Sequence, residues 1–494
     1  MKLLSSNPEV EKQHSPPRVT LAQWLLAFVS VLMGGYSYYI TDYDYLAILA
    51  LILAAVNFVL VVLVAKEALN SRLIGKFCLM AGALVFYWVD AASLALQKIP
   101  FTIPNGFPVQ GEQFDPRLIQ QALLYITLFQ FCLLLGYSIR PRLHRVVSFF
   151  RSRMDGTSFD RRIVAYALVV CSLLPLLIYY DFDIATIIKV MLAGRAATDF
   201  ETPEPGLSQH LALFGIYGAA LFFVYALKTR TWRRFWLLIL GASAALPFIM
   251  GGARHIWLYI SLPSVLIVLR GFKGQLDRYR IVALTAAALL VLVVAQVQFS
   301  YRTEGWKDMS NLPKEDLSQI NTNGQLTALL FAEHLVPNDH DYFMELAEPY
   351  FIIHWIPRQL WPTKPIMESW TYYNESYVEG AAFNVTPSVI GQFYINWGPS
   401  GVIFIGLWLG FLTVLVDRVF LLLDSDRQRA MFVAGGMFYA FIISSFRFYS
   451  PIYFSYFLFG FVAMLALTSR PRLSSLTDAL SSRFNRGVTL GRSA

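Results

Sequence analysis

The chain has 494 residues, of which 56% are hydrophobic and 15% charged, with a mean hydropathy of +0.51. That composition excludes a soluble globular protein and a protein held by one anchor, because it carries far more apolar surface than a single core can bury. The formal net charge of +8 calls for no nucleic-acid partner, since a surplus of Lys and Arg on the cytoplasmic side, facing anionic lipid, accounts for it.

Residues 1–20 are polar, and the apolar run opening at Leu21 is long enough to span a membrane and remain uncleaved. Crossing the hydrocarbon core takes about 20 helical residues. Runs near that length occur at 21–40, 45–65, 77–96, 119–138, 163–180, 210–227, 235–250, 256–272, 281–299, 399–420, 430–446 and 452–469. The sequence therefore predicts an all-α fold, a polytopic transmembrane helical bundle of about 12 spans. Cys78, Cys132 and Cys171 each fall within an apolar run and read as small buried hydrophobes, without disulfide or thiol chemistry.

Charge sets the orientation. The basic connections KEALNSRLIGK, IRPRLHRVVSFFRSRMDGTSFDRR, KTRTWRR, RGFKGQLDRYR and LDSDRQR all follow even-numbered spans, on the same side as the tails 1–20 and 470–494. Positive segments resist translocation, so this side is cytoplasmic. The outer segments are then 41–44, 97–118, 181–209, 251–255, 300–398 and 447–451. Spans one to nine occupy 21–299 and spans ten to twelve 399–469, separated by a large periplasmic loop with short helices at 300–398. The expected location is the bacterial inner membrane, multi-pass, with the working face toward the periplasm. On this assignment 29 of the 40 Lys and Arg are cytoplasmic and 11 are outer.

Those 11 include Arg117, Arg195, Arg254, Arg302, Arg358 and Arg447, most of them close to a span end. A planar guanidinium matches phosphate bidentately, so arginines placed there against the sorting rule point to an anionic substrate at the outer leaflet. Arg254 lies in the glycine turn MGGARHIW, Arg302 in FSYRTEGW and Arg447 in SSFRFYSP. One such arginine serves equally well to reach a headgroup or to pair with a carboxylate such as Glu304. All of them together predict one anion-binding cavity. Arg195 opens GRAATDFETPEPG, an irregular Pro/Gly loop suited to engaging and releasing a long substrate.

Asp42-Tyr43-Asp44 has the DxD spacing of a metal or base site, but its four-residue loop leaves no room for surrounding re-entrant helices, and it reads as a pair of solvated turn carboxylates. Asp90, inside the third span, is costly there and is either functional or the partner of a neighbouring Arg. In the long outer segment, Asn311, Pro313 and Glu315 mark a helix start, and QLTALLFAEHL predicts a helix near 325–335. The aromatic run DYFMELAEPYFIIHWIPRQLWP predicts an interfacial segment with His354 and Arg358 at headgroup level. Its acidic start, Asp339, Asp341, Glu345 and Glu348, is either a solvated helix face or the source of a general base. His354 is the other candidate for proton transfer. No HxxxH or HExxH spacing links His255, His334, His340 and His354, and no Gly-rich phosphate loop occurs, so neither a metal nor a nucleotide cofactor is predicted.

The motifs MGGARHIWLYI, IPRQLWPTKP and FNVTPSVIGQFYINWGPSGVIFIGLWLG, between Gly251 and Gly410, resemble the Wzy-type oligosaccharide repeat-unit polymerases that make O-antigen and related glycans. The resemblance implies a periplasmic glycosyltransferase that moves a growing glycan from undecaprenyl pyrophosphate onto a fresh lipid-linked repeat unit, without cofactor or metal. Its implied partners are lipid-linked oligosaccharide and membrane lipids, with a chain-length regulator and a flippase of the same pathway. In this reading Arg254, Arg302 and Arg447 stabilise the departing pyrophosphate and His354 serves the acceptor hydroxyl. Lys364 falls where the family often has a basic residue and Arg358 where it varies; with Arg195, Asn384 and Thr386 they form the substrate-binding set. An O-antigen ligase would share the donor and differ in the acceptor. A lipid-linked oligosaccharide flippase or transporter would instead need charge and broken helices at mid-membrane. Apart from Asp90, the pair Asp417 and Arg418, and Arg270 at the cytoplasmic end of 256–272, the spans read as free of charge.

Overall fold

The structure, a computed structural model, describes residues 18–71, 73–96, 116–139, 180–193, 207–228, 232–250, 256–271, 325–353, 360–377, 386–421 and 429–450, together with residue 356 and scattered positions within 169–178 and 453–461. Among them every regular element is a helix. They are α1 (Leu21–Tyr36), α2 (Tyr43–Ser71), α3 (Gly75–Ala83), α4 (Val89–Leu96), α5 (Pro116–Ser138), α6 (Ile184–Ala193), α7 (Leu207–Lys228), α8 (Arg233–Met250) and α9 (Ile256–Gly271). After them come α10 (Gln325–Leu335), α11 (Glu348–Ile353), α12 (Glu368–Tyr377), α13 (Val389–Leu421) and α14 (Arg429–Ser445). A wider helical turn, Leu84–Trp88, joins α3 to α4 into one rod.

Five rods are long and apolar enough to cross a bilayer: Leu21–Tyr39, Tyr43–Ser71, Gly75–Ala92, Pro116–Ser138 and Val389–Phe420. Shorter apolar stretches lie in α7, α9 and α14. The span expected at 281–299 lies outside the described residues, and those at 163–180 and 452–469 lie mostly outside them.

The helices are built for an apolar solvent. On α1 and α2 the outward residues are Leu25, Phe28, Leu32, Ile48, Ile52, Phe58 and Val62, whereas the inward set includes the polar Gln23, Ser30 and Asn57. A helix in water shows the opposite arrangement. Two of them donate within their own helix, Ser30 to the Leu26 carbonyl at 2.9 Å and Asn57 to the Leu53 carbonyl at 2.8 Å, and Gln23 donates across to the Glu67 carboxylate at 2.8 Å. Between helices, the Trp88 indole donates to the Gln130 side chain at 2.9 Å.

Small residues set the closest helix contact, that of α5 with α13. A Cβ on Gly136 would stand 2.2 Å from the Leu407 carbonyl oxygen, and one on Gly410 2.2 Å from the Leu133 carbonyl oxygen. Backbones pack that closely only where the side chain is a hydrogen atom, the usual route to helix association in lipid. At one end of this pair the Asp417 carboxylate takes hydrogen bonds from Tyr137 of α5, at 2.5 Å, and from Tyr439 of α14. Nearby, the Lys76 ammonium stands 5.5 Å from the Tyr137 ring and pairs with Glu67 at 2.6 Å. α2 runs on past residue 65 to include Glu67, and α3 begins just before Lys76, so this helix end holds more buried charge than Asp417 and Arg418 alone.

Two sequence expectations change. α13 begins at Val389, ten residues before the expected start at 399, because Gly398 takes a left-handed φ of 60° and lets a second helical segment follow Pro399 after a kink. The acidic run is not a helix face: 341–346 has no regular secondary structure, with Met344 at a positive φ of 58°, and within 341–362 the described helix is the short α11. The Asp42 carboxylate accepts the Asp44 amide at 2.8 Å and caps α2, an exposed turn as the sequence implied.

Candidate functional site

The end of the bundle opposite Asp417 gathers the unusual chemistry. α10 is inserted among the long rods, with nine of its eleven residues buried. An eleven-residue helix with apolar groups on every side can be stable only inside protein. Its N-terminus is held by Asp90, whose carboxylate accepts the Leu326 amide at 2.8 Å, a cap supplied from another helix to the positive end of the dipole. Tyr373 of α12 donates to the Ala328 carbonyl at 3.1 Å, from the opposite side. The intramembrane carboxylate that the sequence marked thus positions α10.

The chain then turns through exposed 337–341 and runs along the kink in α13. Pro399 has no N–H, which leaves the Ile395 carbonyl without its helical donor. Phe343 supplies one at 3.3 Å, and Met344 donates to the Asn396 carbonyl at 2.9 Å. Trp397 donates to the Glu345 carbonyl at 2.8 Å. The Glu345 carboxylate accepts the Glu368 amide at 3.0 Å, the Ser369 amide at 2.9 Å and the Tyr350 hydroxyl at 3.1 Å. Glu345 is therefore the cap of α12, and its carboxylate ties that helix to Tyr350 at the start of α11. Asp339 and Asp341 are exposed, and Glu348 is the first residue of α11.

Arg447 lies in the turn after α14. Its neighbours fix it from three directions. The Phe446 carbonyl accepts the Tyr87 hydroxyl at 3.1 Å and the Val389 amide at 3.3 Å. Gln392 clamps Tyr449 through both its amide atoms, at 3.2 and 3.3 Å. Phe448 stacks on Trp370 with centroids 6.4 Å apart. Arg447 itself is half-buried, and among the described residues its Nε has no hydrogen-bond partner. The Trp370 Nε1 is in the same condition. α13 starts here too: Ser388 accepts the Gly391 amide at 3.0 Å, so the positive end of that helix faces the Arg447 turn.

Near the other end of α10, Glu333 is 1% exposed, and neither of its carboxyl oxygens has a hydrogen-bond partner among the described residues. Burial alone pushes its carboxyl well above the ordinary carboxylate range. The hydroxyls of Tyr38, Tyr125 and Tyr394 are within electrostatic reach of it. The Tyr125 and Tyr394 rings are 5.3 Å apart, and Tyr342 meets Tyr394 edge-on at 6.0 Å.

Of the site residues read from the sequence, Arg447, Lys364 and Thr386 are described. Arg254, Arg302, His354, Arg195, Arg358 and Asn384 lie outside the described residues, as does the convergence of the three arginines. Lys364 donates to the Ile356 carbonyl at 3.0 Å. Thr386 is half-buried, two residues before the Ser388 cap of α13. Among the described residues no group of three His, Cys, Asp or Glu is placed to hold a metal ion. Glu333 was missed because QLTALLFAEHL reads simply as an apolar helix. The available signal was an ionisable residue in a helix with no polar face.

Comparison with known proteins returns no match: no family model, curated protein or solved structure is similar to this chain.

Proposed function

We propose that this chain is a membrane glycosyltransferase that polymerises oligosaccharide repeat units carried on undecaprenyl pyrophosphate, at the periplasmic face of the inner membrane. The observation that supports it most is Arg447: a half-buried guanidinium at a bundle end, its turn pinned by Tyr87, Gln392 and Phe448, with an Nε that has no hydrogen-bond partner among the described residues. A fixed guanidinium suits a pyrophosphate headgroup. The Trp370 and Phe448 pair beside it offers apolar ring surface and an indole N–H without a hydrogen-bond partner among the described residues, the combination that holds a sugar.

In the proposed reaction a sugar hydroxyl of the acceptor attacks the anomeric carbon of the donor. The bond from that carbon to the pyrophosphate oxygen breaks, and the oxygen keeps the electron pair. Arg447, with Arg254 and Arg302, stabilises the charge that develops there, and one well-placed donor is worth about 3 kcal/mol in such a transition state. Lys364, Arg358, Arg195, Asn384 and Thr386 are proposed as contacts along the glycan. The transport reading asks for charge and broken helices halfway through the bundle. Among the described residues Lys76, Glu67 and Asp417 lie close to helix ends, Asp90 lies just before the end of its apolar rod at Ala92, and the Gly398 break falls in the first third of α13.

Deleting the gene and displaying the surface glycan on a gel tests the reading. Loss of the ladder with single repeats retained supports a polymerase. Full-length polymer left on its carrier lipid would point to a ligase, and an unchanged ladder would refute both.

A further inference from the structure

The proposed transfer needs a group to take the proton from the acceptor hydroxyl, and the carboxylates on and around α10 differ in whether they are committed elsewhere. Glu345 is committed to the N-terminus of α12, and Asp90 accepts the first turn of α10. Asp339 and Asp341 are exposed to solvent beyond α10. Glu333 is the contrast: a buried carboxyl whose two oxygens have no hydrogen-bond partner among the described residues, with tyrosine hydroxyls of α5, α13 and the turn after α1 within electrostatic reach. Burying a polar group unpaired destabilises a fold, and more so if it is charged. Such a group is a signal of function, because an apolar residue would fill the same place without that penalty.

Resting on the polymerase reading, we infer that Glu333 is the catalytic base, the group that receives the acceptor hydroxyl's proton. The site is close to the surface: Glu333 lies one helical turn before the exposed turn that begins at Pro337, about 6 Å along the axis. The Tyr125, Tyr394 and Tyr342 ring cluster within its electrostatic reach would give the acceptor sugar a face to stack on and hydroxyls to bind. As the new bond to the anomeric carbon forms, the hydroxyl proton moves to Glu333, and the pyrophosphate departs with the electron pair of the broken bond. A carboxyl raised by burial is a stronger base than an exposed one, which is the property this step uses.

The test uses full-length protein in vesicles, supplied with a synthetic lipid-pyrophosphate repeat unit, with rates measured across pH and donor-lipid binding measured separately. Wild-type turnover is expected to rise with pH as the Glu333 carboxyl ionises. Glu333→Gln is expected to lose about 100-fold or more, the usual share of a general base, and to lose that rising limb while binding donor lipid as before. Glu333→Asp keeps a carboxylate and is expected to retain the limb at a reduced rate. Glu333→Gln turning over as wild type does, or a limb lost in His354→Ala and kept in Glu333→Gln, would overturn the assignment and leave the polymerase reading standing. Absence of polymer from wild type itself would remove the reading and this inference with it.

Discussion

Replacing Asp417 with Ala perturbs the best-defined polar contact in the bundle. The carboxylate joins three helices, taking hydrogen bonds from Tyr137 and Tyr439 on opposite sides. Both tyrosines are almost fully buried. Removing the acceptor leaves two hydroxyls without partners, each costing about 1–3 kcal/mol, so the loss is expected to be about 2–6 kcal/mol. Gly75 adds to the sensitivity, since it leaves room for both carboxylate oxygens, and a Cβ there would lie 2.6 and 2.7 Å from them. Thermal unfolding in lipid nanodiscs measures the effect. The decisive comparison is with Asp417→Ala in a Tyr137→Phe, Tyr439→Phe background, where no hydroxyl is orphaned and the cost is expected to fall well below that of Asp417→Ala alone. An equal cost in both backgrounds would refute the reasoning.

Gly410→Ala places a Cβ 2.2 Å from a backbone oxygen of α5 and is expected to destabilise the protein by about 1–3 kcal/mol. Gly35→Ala, whose Cβ meets nothing within 4 Å, is the control and is expected to be neutral or stabilising through helix propensity; similar thermal midpoints for the two would contradict the packing argument. Asp90→Ala removes the cap on α10 and is expected to cost about 0.5–2 kcal/mol, with faster amide exchange confined to 325–328 as the local signature. The raised carboxyl of Glu333 gives a pH dependence of known sign. Between the ordinary carboxyl value of 4.5 and its raised folded value, the folded state binds the extra proton, so stability falls as pH rises. Glu333→Gln is expected to remove that fall and to melt higher than wild type at neutral pH, whereas a structural role for the carboxylate would make it melt lower.

The sequence was most legible where a single physical rule applied. Apolar run length located α1, the α3–α4 rod and α5 to within a few residues, and the run QLTALLFAEHL marked α10 at 325–335, the bounds it has. What remained hidden depends on tertiary contacts. The Gly398-Pro399 pair reads as a helix end, and only the donation from Phe343 to the stranded Ile395 carbonyl explains why helix continues on both sides. Glu345 and Asp90 both read as possible site carboxylates, yet each caps a helix distant in sequence, a pairing that no local pattern encodes. Arg447 was singled out because its charge opposes the sorting rule, and among the described residues its Nε has no hydrogen-bond partner. Glu333 was overlooked because its neighbours in sequence are apolar, and its lack of partners is visible only once α5 and α13 are packed around it.

The central claim is a transfer chemistry supported at Arg447. Its most direct measurement is purified protein in vesicles with one synthetic undecaprenyl-pyrophosphate repeat unit as sole substrate, following glycan length and free undecaprenyl pyrophosphate together. Wild type is expected to build a ladder while releasing one undecaprenyl pyrophosphate for each linkage formed. Arg447→Ala is expected to lose about 100-fold or more, with Arg447→Lys intermediate because a point charge lacks the guanidinium fork. A ladder formed equally well by Arg447→Ala, or no ladder and no released pyrophosphate from wild type, would contradict the account.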